Sequence, residues 1–267
     1  MSITFSTCWY NFKAKFDSSI YQGWIHNMLS NVNNYNLVVY TDEAGYNLVQ
    51  QYLHSKIKII IKPYEEFYTH QLSDHWISNH ENNVLLKDRI DWRVNMLWSE
   101  KIHFVSETIK EQYFITDFYG WCDIGYFRGR SNDLDVNALK MWPSPNKITS
   151  LDKDKIYYGL INNNNTYVDS VYNIVNNKNA NGVPSHPIPP NIGVVAGGFF
   201  MLHKNNIEWW HKTYYDKLKL YFDNKHLVKD DQIILIDCIF SNIQPFCLCK
   251  ENTNHFDNWF MFQRILI

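Results

Sequence analysis

Cysteine is scarce, with five in 267 residues: Cys8, Cys122, Cys238, Cys247 and Cys249. An odd count without regular spacing argues against a disulfide framework and for free thiols in a reducing compartment. Cys247 and Cys249 form a C-x-C pair, but no second pair completes a zinc site. Basic charge is not in excess. The net charge is −2 and the pI about 6.6, so the chain lacks the broad positive field that holds nucleic acid. No apolar run approaches the roughly 20 residues that cross a bilayer. The start, Met-Ser-Ile-Thr-Phe-Ser-Thr-Cys, has neither the basic residues nor the apolar stretch of a signal peptide. A cytoplasmic chain without a transmembrane segment is expected. Three signatures are missing as well. There is no Gly-x-x-x-x-Gly-Lys-Ser/Thr phosphate loop, no Gly-x-Gly-x-x-Gly after the first strand, and no Gly-x-Ser-x-Gly nucleophile turn.

Apolar residues are plentiful. Hydrophobic residues make up 45% of the chain and aromatics 16%, enough for a sizeable core in one domain. Asn, Ile, Lys and Tyr are overused, with Asn clusters at 162–165 and 176–181. That bias suits an AT-rich genome, and for a viral chain the expected location becomes the host cytoplasm.

The pattern predicts alternating strands and helices. Ile3–Thr7, Leu37–Tyr40 and Ile57–Ile61 read as buried strands, separated by helices over Ile20–Val32 and Gly45–His54. Such β-α-β-α-β spacing predicts a mainly parallel sheet with helices on both faces and ligands at the C-terminal strand ends. Residues 64–83 show no clear period. A long helical region is expected over Arg89–Lys110, with Trp92, Met96, Ile102, Val105 and Ile109 as its apolar stripe. A short strand is expected at Tyr113–Ile115, then a helix over Asn132–Met141 ended by Pro143 and Pro145. Residues 152–190 read as loops with a strand at Ile156–Leu160 and a helix near Val168–Val175. A strand carrying a Gly pair follows at Val194–His203. Helices over Asn205–Tyr221 and Ile233–Phe240, and a last strand at Phe246–Leu248, complete the chain.

The stretch Gln112–Gly125 is the expected centre of the chemistry. Asp123 follows a buried strand, with Gly125 beside it, and an acidic strand end with nearby glycine suits a divalent cation and a close ligand. Further along come Gly197-Gly198 within an apolar strand and Asp230-Asp231-Gln232 at a helix start. The carboxylates of that start suit the positive end of a helix.

This ordered set resembles the GT-A glycosyltransferases, and within them the HtrL/YibB-like family. The matching residues are Trp121-Cys122-Asp123-Ile124-Gly125, Gly197–Phe200 and Asp230–Gln232. The resemblance implies a single α/β GT-A-like domain over 1–267, with a nucleotide-binding half at 1–126 and an acceptor and sugar half at 127–267. It implies Mn²⁺ or Mg²⁺ at Asp123, with His255 as a second ligand. Where most GT-A enzymes carry Asp-x-Asp, Trp121 stands in the first position. The nucleotide side is expected at Thr7, Trp9, Tyr10 and Asp42. Arg93 or Lys101, like Arg89, is a candidate to reach the phosphates, and Gly197 and Gly198 are placed beside the sugar. Asp231, Asp230 and Gln232 are the catalytic candidates: in an inverting enzyme one carboxylate takes a proton from an acceptor hydroxyl, and in a retaining one a polar group stands on the reacting face of the sugar. The expected activity is metal-dependent transfer of a hexose from a nucleotide-sugar, UDP-linked, to a hydroxyl of a glycan or protein. The alternative is a catalytically inactive carbohydrate-binding or structural relative, whose aromatics stack on sugar rings.

Overall fold

A computed structural model describes residues 2–131, 133–251 and 255–267. Its centre is a seven-stranded sheet built from β1 (Ile3–Trp9), β2 (Tyr35–Thr41), β3 (Ile57–Ile61), β4 (Phe118–Cys122), β5 (Ile156–Gly159), β6 (Phe199–His203) and β7 (Phe246–Cys249), in the spatial order β3-β2-β1-β4-β6-β5-β7. Strands β3, β2, β1 and β4 run parallel. Strand β6 is antiparallel to both neighbours, and β7 is parallel to β5. The helices are α1 (Ser18–Leu29), α2 (Glu43–Val49), α3 (Ser73–Asn82), α4 (Trp92–Ser99), α5 (Lys101–Lys110), α6 (Pro145–Thr149), α7 (Asn165–Asn176), α8 (Ile207–Asp223), α9 (Asp231–Ser241) and α10 (Phe262–Ile265). Among the described residues no helix is long and apolar enough to cross a membrane.

Both faces of the sheet are covered, which is why Leu37–Tyr40 of β2 reads as a continuous apolar run rather than an alternation, and why even Thr4, Ser6 and Thr7 of β1 are buried. In β2, Leu37 and Val39 join one buried cluster, with Met28, Leu29 and Trp142. Val38 and Tyr40 join the other, with Phe104, Trp210 and Leu235. Alternate side chains of a strand point to opposite faces, so one short strand supplies both cores.

The order of the strands reverses between β1 and β4. The chain moves from β1 out to β3 on one side and returns to place β4 on the other. A crevice at the C-terminal ends of the strands is expected at such a switch point. The end of β1 is Trp9 and the residue after β4 is Asp123.

Several expected elements fall elsewhere. The strand leading to Asp123 is Phe118–Cys122, not Tyr113–Ile115; Ile115 is 83% exposed. Asp117 sits before β4 and pairs with Lys204 at 2.9 Å, at the opposite end of the strand from Asp123. The region Arg89–Lys110 is two helices, parted at Glu100. Its buried carboxylate turns away to accept Tyr68 N at 2.5 Å and Thr69 Oγ1 at 2.9 Å. The Gly pair precedes β6 rather than lying inside a strand. Pro145 starts α6 instead of ending a helix, since the first helical turn needs no N–H there. The segment expected as a helix over Asn132–Met141 is a short 3₁₀ turn at Val136–Met141, and Asn132 lies outside the described residues.

Candidate functional site

At the switch point lies a cleft of about 560 Å³, walled by the ends of β1 and β4, the 197–198 turn and the start of α9. Asp123 is fixed at its base by backbone and side chain. Its N–H donates to the Gly198 carbonyl at 2.9 Å, extending the β4–β6 pairing by one residue. Its Oδ1 accepts the Trp121 indole N–H at 2.6 Å. Trp121, two residues before Asp123, therefore orients that carboxylate.

Lys101, the first residue of α5, joins the two acidic elements. Its ammonium lies 3.1 Å from Asp123 Oδ1 and 3.0 Å from Asp231 Oδ2, and it donates to the Gly197 carbonyl at 2.9 Å. All three N–H donors have partners, which is what a buried ammonium requires. Burial works against the charge, but the two carboxylates outweigh it and hold Lys101 above the ordinary lysine range. The break at Glu100 starts a new helix at this residue.

The two aspartates differ. The Asp123 side chain is 40% exposed, whereas that of Asp231 is 7% exposed. Burial pushes the Asp231 carboxyl up to about 6, against the lowering pull of Lys101 and with the help of Asp230 and Asp123. Asp230 stands before α9 without making a capping hydrogen bond and pairs instead with Lys229 at 2.6 Å. Gln232 Nε2 approaches Asp230 Oδ2 at 3.5 Å, and its Oε1 is buried with no partner among the described residues.

The glycines serve these carboxylates. A Cβ on Gly197 would stand 2.6 Å from Asp231 Oδ2, and one on Gly198 would stand 3.0 Å from Asp123 Oδ2. Either side chain would displace an acid, and Gly198 carries the carbonyl that anchors Asp123. Gly125 answers to packing: its Cβ would lie 2.7 Å from the Trp24 ring.

Of the expected site residues, Trp9, Tyr10, Lys101, Asp123, Gly197, Gly198, Asp230, Asp231 and Gln232 line this one cleft. Thr7, Asp42, Arg93 and His255 are not among its lining residues. Thr7 lies within β1 and is fully buried. Asp42 caps α2, accepting Gly45 N at 2.7 Å. Arg93 pairs with Asp91 at 2.7 Å and packs over Phe12 and Tyr64. His255 is exposed and directly follows residues outside the described set. Tyr10 lines the cleft with its ring, but its hydroxyl donates to the Lys62 carbonyl at 2.7 Å. Cys8 also lines it, as a buried thiol raised well above the usual range by burial, so it is no nucleophile.

The residue overlooked in the sequence is Arg128, in the same loop as Asp123. It lines the cleft with its guanidinium over the rings of Phe16, Trp24 and Phe260. The cue was its closeness in sequence to Asp123, since a loop short enough to begin at a site can also end in it.

Neither a family model nor a curated protein matches the chain. The site is therefore read from its own geometry: a mixed α/β sheet with an acid-lined, aromatic-walled cleft at its switch point.

Proposed function

We propose that the chain is a GT-A-type glycosyltransferase of HtrL/YibB-like kind, moving a hexose from a UDP-sugar to a hydroxyl of a glycan or protein. One observation carries the reading. Asp123, at the end of β4, and Asp231, at the start of α9, face one cleft at the sheet's switch point and share a single buried lysine. Nucleotide ligands favour such crevices. The pair offers one accessible carboxylate for the departing diphosphate and one buried carboxylate for the attacking hydroxyl.

The donor set fits a Mg²⁺ or Mn²⁺ ion only in part. Asp123 Oδ1 is engaged by Trp121 and Lys101, which leaves Oδ2 as the hard ligand. Among the described residues no group of three His, Cys, Asp or Glu side chains could hold a metal ion. A single free carboxylate oxygen is a usual protein share for Mg²⁺, which keeps several waters and binds one or two carboxylates plus substrate phosphates. Asp123 is the ligand we assign. When bound, the ion neutralises charge on the diphosphate leaving group.

The chain's own residues do the rest. Asp231, ionised, takes the proton from the acceptor hydroxyl as its oxygen forms a bond to the sugar carbon and the bond to UDP breaks. Lys101 fixes the spacing between that base and Asp123. Trp9 and Tyr10, at the end of β1, line the wall where the base of the nucleotide would lie.

Incubation with UDP-glucose or UDP-galactose, with and without Mn²⁺, tests the proposal. UDP release stimulated by the metal is expected, and Asp123→Ala should abolish that stimulation. Absence of hydrolysis, together with no thermal shift by any nucleotide-sugar, would return the chain to the carbohydrate-binding alternative.

A further inference from the structure

The cations that touch the cleft fall into two groups. Lys101 is matched by Asp123 and Asp231, and Lys229 by Asp230. Arg130, in the loop beside Arg128 but outside the cleft lining, is matched by Asp133 and Asp257. Arg128 has no carboxylate within ion-pair distance among the described residues. Its Nε donates to the Gly125 carbonyl at 3.1 Å, and no other hydrogen bond of the guanidinium is found among the described residues.

The guanidinium is nevertheless held firmly. Its Cζ lies 4.3 Å from the centre of the Trp24 ring, 4.7 Å from Phe260 and 5.3 Å from Phe16. Aromatic contacts of this kind attract the cation through the flat faces of the group, while the donors of a guanidinium lie in its plane. The ring contacts and the Nε bond thus fix the orientation and leave the Nη edge unused. The side chain is half-buried, and burial and then Arg130 lower its pKa. A half-buried cation with oriented, unused donors is incomplete without an anion.

We propose that Arg128 is an anion-binding residue of the cleft, its Nη edge taking the diphosphate oxygens of a nucleoside diphosphate beside Asp123. Planar bidentate donation to phosphate is the chemistry in which Arg differs from Lys. The assignment to a nucleoside diphosphate rests on the glycosyltransferase reading; the anion site itself does not. Lys15 supports the same picture. Its ammonium stands 4.6 Å over the Trp98 ring, lines the same cleft, and likewise has no ion-pair partner among the described residues.

Calorimetric titration of wild type, Arg128→Met and Arg128→Lys with UDP, UDP-glucose, inorganic pyrophosphate and uridine tests this. It is run in EDTA so that only the protein's own cations act, with thermal melts to establish that each variant is folded. Wild type should bind UDP and pyrophosphate. Arg128→Met should weaken both at least tenfold and leave uridine unchanged, and Arg128→Lys should recover only part of the loss. Pyrophosphate binding that depends on Arg128 while neither UDP-sugar nor uridine binds sustains the anion site and removes the nucleotide-sugar reading. UDP binding that Arg128→Met and Arg128→Lys leave intact overturns the site and keeps that reading. Failure of wild type to bind either pyrophosphate or UDP overturns the proposal outright.

Discussion

Helix α9 carries two buried aspartates, and their neighbours treat them in opposite ways. Asp237 is saturated. It receives Lys178 Nζ at 2.5 Å, Lys217 Nζ at 2.9 Å, the Tyr221 hydroxyl at 2.6 Å and the Ser241 hydroxyl at 2.9 Å. Burial disfavours its charge, but Lys217, Lys178 and Tyr221 outweigh burial and hold its carboxyl below the usual range. Asp231 has one lysine, shared with Asp123, and its carboxyl rises to about 6 because burial wins. A buried acid supplied with every donor it can use is a fastening. One left under-supplied beside a cleft is able to accept a proton near neutral pH.

The comparison is most directly broken at Asp231. If it is the base, Asp231→Asn should lower the turnover of UDP-sugar by about 10²–10⁴-fold, the usual worth of a general base, measured below the melting transition of the variant. In wild type, kcat/KM should fall as pH drops through about 6, because the carboxyl is then protonated, and this acidic limb should be missing in the variant. A loss of less than tenfold, or an unchanged limb, would assign the proton transfer elsewhere. The mirror experiment is Asp237→Ala. Removing one partner from a buried ionic network leaves the others uncompensated, at a cost of about 3–5 kcal/mol. Urea denaturation should show that loss of stability, while UDP binding below the transition stays near wild type. If Asp237→Ala abolished UDP binding in folded protein, the division between fastening and working acid would fail.

The contrast also separates what could be read from the sequence and what could not. Runs such as Leu-Val-Val-Tyr at 37–40 are buried on both faces, so β1, β2 and β3 were evident from composition alone, as was the alternation that makes the sheet mainly parallel. The strand before Asp123 was misplaced because Tyr113-Phe114-Ile115 looks as apolar as Phe118–Cys122, and only tertiary packing leaves Ile115 outside. Asp123 could be singled out as an acid two residues from glycine at a strand end, Gly197 and Gly198 as a glycine pair in an apolar run, and Asp231 as part of an acidic helix start. That the glycines make room for the carboxylates themselves needed coordinates. Lys101 stood only as one of several basic residues on a long helix. Its role depends on the break at Glu100, a residue whose buried side chain bonds residues 68 and 69, far off in the chain. Arg128 was missed for a related reason: its ring partners come from residues 16, 24 and 260.

The smallest expected effect sharpens the comparison by dividing two pH responses. His211 on α8 hydrogen-bonds His103 on α5, its Nε2 3.0 Å from His103 Nδ1, and packs against Tyr68 and Tyr215. Burial first, and then His103, lower its pKa to about 4. The unfolded chain, with histidine near its ordinary value of about 6.5, then binds more protons than the folded one between those limits. Stability from this group is therefore complete above about pH 6.5 and is lost as pH falls towards 4. Melting temperature followed from pH 7 to pH 4.5 should decline, and His211→Asn should flatten part of that decline. The same substitution should leave the acidic limb of kcat/KM near 6, because that limb belongs to Asp231, which is not among the groups acting on His211. If His211→Asn shifted the kinetic limb, the loss of activity in acid would be unfolding rather than protonation of a base, and the distinction drawn between Asp231 and Asp237 would lose its kinetic support.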